Sequence, residues 1–291
     1  MQEKLRKLEQ KISEYGLSVV QDQIMALVRP AIALIPEAAD EDNIPLGATK
    51  LWGMPHVPPT FAWPKSDGMV FGFLGQINLE DVRTTYDLGL PSNGLLSFWF
   101  HEGINGSYEY GKAFYFPSSE LTVLELPEED ESDELSFIFD FIETTWRARL
   151  IAFPSLPYAY HYNSIYLPLL NFSEDEIDAY SDLQSEMSDF FDLPRDDYQI
   201  GGYPHRGQQD PHRLIYFAAH HLSESDFDEG NAEATEKMLN FARNLRLLAQ
   251  FDGHNLDIED SSEGSIYFLY DEQMLSQHSF ENPYTLLNLD S

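Results

Sequence analysis

Cysteine is absent from the 291 residues, which excludes disulfides, thiolate metal sites and a cysteine nucleophile and fits a reducing compartment. Cations are scarce as well: 17 Lys+Arg face 50 Asp+Glu, a formal charge of −33. Without a cationic footprint a chain cannot displace counterions from phosphates, so nucleic acid is excluded as a partner. An anionic membrane surface repels the chain for the same reason. No run approaches the roughly 20 apolar residues of a membrane helix, and the opening MQEKLRKLEQKISEYG lacks the apolar stretch of a signal peptide. The expected location is the cytoplasm. Catalytic signatures are missing too: there is no Gly-x4-Gly-Lys-Ser/Thr, Gly-x-Gly-x-x-Gly, Gly-x-Ser-x-Gly or His-Glu-x-x-His. Carboxylates are too abundant for any pair to identify acid–base chemistry. No cofactor is called for, and the catalytic residues, if any exist, are unknown.

What remains is the composition of a folded protein, because 43% hydrophobic and 14% aromatic residues exceed what disordered chains carry. Leu5, Leu8, Ile12 and Tyr15 recur at helical spacing, Gly16 allows a break, and Ile24, Leu27 and Val28 resume the pattern before Pro30. Lys4, Arg6, Lys7 and Lys11 share this helix, which should pack on the body through its apolar stripe. Beyond Pro30 the texture changes to short apolar runs broken by Pro, Gly and Asn. Strands are expected at 31–35, 70–77, 95–100, 112–116, 121–126, 136–141, 150–153, 214–218, 247–251 and 265–270. Ser173 with Glu176 forms a capping box for one further helix, and Asn231 caps another. The expected class is α+β, rich in mostly antiparallel sheet, with an N-terminal helix and two or three more helices.

Comparing the chain with itself brings out three blocks that recur in order. Trp52-Gly53-Met54-Pro55, then Phe73-Leu74-Gly75-Gln76-Ile77-Asn78, then a Gly-led aromatic run from Gly94 to Phe100 return later. Their echoes are Gly201-Gly202-Tyr203-Pro204, Leu247-Leu248-Ala249-Gln250-Phe251-Asp252 and a run from Gly264 to Tyr270. The expected organisation is one domain over 1–291, with an N-terminal helix at 1–29 and two similar units at 30–150 and 151–291. Gln76 and Gln250 each interrupt an apolar strand, so each needs a partner inside the fold. They can satisfy the backbone of the turns, or face one another across a cleft and hold a ligand. A ligand cleft of this kind would be lined by Trp52, Trp63, Gln76, Tyr203, His205, Gln208 and Gln250, concave, aromatic and sparsely polar.

Histidine is the remaining chemical candidate. His205, His212, His220 and His221 fall close together, with Asp210 between them. The spacing of His205, Asp210 and His212 could converge in a loop, but His220 and His221 on a strand would point to opposite faces. Neighbouring carboxylates satisfy histidines without a metal, and no metal is assigned. Arg206 and Arg213 either pair with local acids or mark a pocket for a small anion.

The blocks around Pro55, Gln76, Pro91-Ser92-Asn93-Gly94, Pro204 and Gln250 resemble the YwqG-like bacterial proteins, a group classed as a domain of unknown function. The resemblance runs from about Arg29 to Asn282. It implies a β-rich α+β fold and a bacterial cytoplasmic origin, and no catalytic residue. Because YwqG-like genes can lie near secreted-toxin systems, it also implies an immunity or regulatory role. The expected function is therefore that of a non-catalytic binding protein for a basic partner, with a small-ligand binder or enzyme as the alternative. The acids concentrate at 125–134, 174–192 and 224–236, outside the repeated blocks. They could equally serve solubility in a salty cytoplasm.

Overall fold

The computed structural model describes residues 1–66, 69–101, 111–117, 120–126, 145–158, 165–166, 170–193, 198–205, 209–252, 264–280 and 282–289. The chain opens on two helices, α1 (Gln2–Glu14) and α2 (Gln21–Leu27), either side of Gly16 at φ +77°. The first half of the chain then forms β1 (Arg29–Ala38), β2 (Lys50–Trp52), β3 (His56–Val57), β4 (Lys65–Ser66), β5 (Met69–Val70) and β6 (Gly72–Asn78). After α3 (Leu79–Thr85) come β7 (Leu95–Phe100), β8 (Gly111–Phe116) and β9 (Thr122–Val123). The second half runs β10 (Thr145–Ser155), α4 (Glu174–Ser185), α5 (Met187–Phe191), β11 (Gln199–Gly201), α6 (Pro211–Ala219) and α7 (Ala232–Asn244). It closes with β12 (Leu245–Asp252), β13 (Gly264–Asp271), α8 (Glu272–Ser276) and β14 (Tyr284–Leu289).

Ten strands make one antiparallel sheet in the order β14-β13-β12-β11-β1-β10-β2-β6-β7-β8. Its middle is the longest pairing, β1 on β10, from Arg29 opposite Ser155 to Ala38 opposite Trp146, with Ala33 opposite Ile151 and Leu34 opposite Leu150 at the midpoint. The sheet curls until its two edges meet, for a Cβ built on Gly111 of β8 would stand 2.1 Å from Thr285 Oγ1 of β14. Curling turns β7 towards β12 and β13, and Phe98 packs on Phe251 and Phe268 at ring distances of 5.2 and 5.1 Å. The enclosed core of Ile32, Leu34, Leu51, Ile77, Ile200 and these phenylalanines is closed to water. Bringing opposite edges together in this way removes most of the unpaired backbone that an open sheet exposes.

Strands β6, β7 and β13 are buried on both faces, so the outer face is covered as well. Three covers do this. Helices α1, α2, α4 and α5 lie over Ala31, Ala33 and Phe153. Trp63, Phe71 and Val57 cover Phe73 and Trp99, and α6 and α7 cover Leu247, Tyr267 and Leu269. The stripe of α1 behaves as its periodicity predicts, with Leu8 and Ile12 fully buried. Its lysines meet aromatic faces: Lys11 lies 4.6 Å from the Phe190 ring and Lys4 5.7 Å from that of Phe191, while Lys7 donates to the Phe190 carbonyl. Among the described residues no helix is long and apolar enough to cross a membrane.

Several elements depart from the expectation. The described residues hold eight α-helices, more than the N-terminal one and two or three others. The apolar run at 214–218 is helical, not a strand. Asp210 caps it by accepting from the His212 N–H at 3.0 Å, and Pro211 occupies the first turn, a start signal that outweighs β-branching. His220 and His221 consequently sit at the end of a helix, where the His220 ring bonds the Tyr216 carbonyl at 2.8 Å. Only Thr122–Val123 of the run at 121–126 is strand, paired with His56–Val57. The strand expected at 136–141 and most of the acidic stretch at 125–134 lie outside the described residues. The capping box at Ser173 and the Asn231 cap both form, with Glu176 and Ala234 N–H groups donating at 3.3 and 3.2 Å.

Candidate functional site

The two Gly-x-Pro turns follow β2 and β11, and both leave the sheet through two consecutive left-handed residues. Trp52 and Gly53 have φ of +61° and +70°, and Gly201 and Gly202 have +68° and +74°. Left-handed backbone is costly for tryptophan and free for glycine. Close packing requires glycine at the second position of each turn. A Cβ on Gly53 would strike Thr145 and Glu41, and one on Gly202 would strike Ala31 and Ser155.

Each turn is then tied to a glutamine. The His56 N–H donates to Gln76 Oε1 at 2.9 Å, and the His205 N–H donates to Gln250 Oε1 at 2.9 Å. The Gln76 amide nitrogen donates to the Ala48 carbonyl and that of Gln250 to the His205 carbonyl, at 2.9 and 2.7 Å. Both glutamines are fully buried and lie opposite neighbouring strands in the same way, Lys50 facing Gln76 and Gln199 facing Gln250. One residue before each amide pair the ladder slips by a bulge, at 73–75 in β6 and at 247–249 in β12. The backbone N–H of the residue between Gly and Pro finds an anchor in both turns: Met54 on Glu41 at 3.4 Å, and Tyr203 on Ser155 at 3.0 Å.

The anchor of the first turn is charged, whereas Ser155, the anchor of the second, is not. Glu41 accepts from Lys50 Nζ and from Thr145 Oγ1. Burial raises the Glu41 carboxyl, but the Lys50 and Thr145 hydrogen bonds outweigh it and hold the group below the usual carboxylate range. Burial lowers the Lys50 amine, whose side chain is wholly enclosed. His56 Nδ1 accepts from the Gly47 N–H at 3.0 Å and lies 2.9 Å from the Gln76 amide nitrogen. Its proton therefore sits on Nε2, 3.9 Å from Glu41. Burial, reinforced by Lys50, pushes His56 down to about 4, so the ring is neutral at pH 7.

The seven residues expected at a cleft fall in different places. Tyr203, His205 and Gln250 meet at the second turn, where the His205 carbonyl also accepts from Tyr267 Oη at 3.0 Å. Trp52 and Gln76 belong to the first turn. Trp63 lies apart in the outer cover, donating to the Phe71 carbonyl at 2.8 Å and packed edge-on to Trp99. Gln208, with Arg206, is outside the described residues. Asp210 and His212 form a buried pair, Nδ1 to Oδ1 at 2.9 Å, and among the described residues no three His, Asp or Glu side chains stand as a metal-binding group. Arg213 bonds Glu229 at 2.5 Å, which makes it a partner of local acids. Extending both turn blocks by one residue reaches His56 and His205. Lys50 lies beside the first block in the sequence, whereas Glu41 and Thr145 join it only through the fold.

Residues 49–290 match the family model described as a domain of unknown function, DUF1963. The match covers most of the chain, which belongs to that family. No curated protein matches it.

Proposed function

We propose that this DUF1963 protein is a non-catalytic binding protein, of the YwqG-like kind, whose acidic outer surface takes a basic protein partner. The observation that carries this reading is the separation of the polar groups. The buried amides of both turns and the His56 ring are spent on backbone. Exposed acids, by contrast, stand at many places on the outside, and one dense run lies along a pair of helices: Glu174, Asp175, Asp178 and Asp182 on α4, then Glu186, Asp189 and Asp192. A field of that sign and density accelerates the encounter with a cation-rich surface and is screened by salt. An immunity or regulatory role in the bacterial cytoplasm fits such a partner.

The scaffold beneath is, in this reading, two copies of one β unit that exchange their first strands. The matched turns, matched bulges and matched anchors support it, as does the pairing of β1 with β11 and of β10 with β2. The units, expected at 30–150 and 151–291, then have their leading strands swapped across the centre within one domain, and β10 carries the start of the second back to Thr145. Variants that neutralise Asp178, Asp182, Glu186 and Asp189 test the reading. Capture of a cationic protein at low salt should fail for that variant and persist when Glu224, Asp228, Glu233 and Glu236 are neutralised instead. Equal capture by both would reduce the charge to solubility.

A further inference from the structure

Where β1, β11 and β12 run side by side, the loop after α3 and the short helix α8 leave a cavity of about 250 Å³. Its walls are apolar, with Leu88, Leu90 and Leu275 half-buried above Leu247 and Leu248. The two left-handed glycines complete the wall, and a Cβ on Gly201 would stand 3.3 Å from Leu88 Cδ1. Among the described residues no acid lines this cavity, in a chain with 50 of them, yet two of its 17 basic residues do: Arg29 and Arg246.

The two arginines differ. Arg246 is committed, to Glu272 at 2.5 Å and to the carbonyls of Arg243 and Leu245 at 2.5 and 2.9 Å. Arg29 has no carboxylate partner among the described residues. Its guanidinium lies 4.2 Å from the Tyr203 ring and 5.3 Å from that of Tyr166, and its Nη1 is buried without a hydrogen-bond partner. Burial raises both tyrosines, Tyr203 to about 12 with Arg29 opposing, so neither supplies a negative charge at pH 7. Arg29 also hydrogen-bonds both tyrosines through its side chain; without a carboxylate partner among the described residues and beside apolar walls, it is set to take an anion.

We propose that this cavity binds a small molecule with an apolar body and one carboxylate, the carboxylate on Arg29 and the body against Leu88, Leu90, Leu247 and Leu275. The volume lies just under the roughly 300–1,000 Å³ of sites for larger ligands, which suits a short acyl chain. One guanidinium without a carboxylate partner among the described residues balances a monoanion, whereas a phosphate dianion would leave charge facing leucine. The inference is independent of the basic-partner reading, since it concerns another part of the surface and the opposite ligand charge.

Calorimetric titration of the full chain with octanoate, octan-1-ol and acetate tests it. Octanoate should bind one to one, with the alcohol and acetate weaker by about tenfold or more, the loss expected for a charge-assisted pair or for the apolar body. Arg29→Met should bring octanoate down to the affinity of octan-1-ol. Leu88→Glu, in the loop after α3, should abolish octanoate binding while leaving the melting transition in place, and it decides the matter if Arg29→Met does not fold. Absence of octanoate binding, equal binding of the alcohol, or wild-type binding by Leu88→Glu would each overturn the proposal.

Discussion

His56 is a neutral imidazole locked between two donors, and that has a consequence for acid stability. Its value of about 4 in the fold lies below the ordinary value of 6.5. Between those two values the unfolded chain binds the extra proton, so stability is present in full above pH 6.5 and is lost as pH falls towards 4. The loss is at most about 3 kcal/mol. Urea unfolding at pH 7 and pH 5 should show a larger drop for wild type than for His56→Asn, which keeps an acceptor for Gly47. Parallel drops would contradict the assignment. Truncating the two glutamines should differ in cost. Gln76→Leu strips partners from the His56 N–H and the Ala48 carbonyl, about 1–3 kcal/mol for each. Gln250→Leu should cost less, because Tyr267 still serves the His205 carbonyl; the two midpoints compared under one condition give the answer. Both amides were visible in the sequence, as polar residues inside apolar strands. Glu41, which gathers Lys50 and Thr145, was not, since Thr145 lies more than a hundred residues away along the chain and reaches Glu41 only through the sheet.

The turns and helices obey local chemistry that the residues announce. The α1 stripe, the Ser173 box, the Asn231 cap and the Gly-x-Pro turns all form where the spacing places them. Leu214, Ile215, Tyr216 and Phe217 read as a strand by composition, yet Asp210-Pro211 ahead of them supplies the start signal that makes the run helix α6. Close packing separates glycines that look alike. Gly16→Ala, with open space around it, should cost about 1–2 kcal/mol for the left-handed backbone. Gly202→Ala adds a clash at 2.7 Å with Ala31 and Ser155 and should cost a further 1–3 kcal/mol, roughly the range for overpacking a core. Thermal melts of the two variants check the order, and an equal shift would mean that the second turn is looser than its packing indicates.

Strand order is the part that no local signal could supply. Recurring blocks suggest two similar units, but the pairing of β1 with β10 at the centre of the sheet joins segments more than a hundred residues apart. Curling the ten strands until β8 meets β14 depends in turn on Gly111 facing Thr285. Charge, by contrast, is fully legible: a chain at −33 with its acids between the recurring blocks must place them outside, and α4 and α5 do. Whether that surface has a partner is best tested by affinity capture from the source cell's lysate, followed by measuring Kd for the captured protein across a salt series. The expected result is a cationic protein held one to one at low salt. Its affinity should fall steeply as salt rises, and binding should be lost when Asp178, Asp182, Glu186 and Asp189 are neutralised. Retention of no cationic protein, or an affinity indifferent to salt and to those four substitutions, would contradict it.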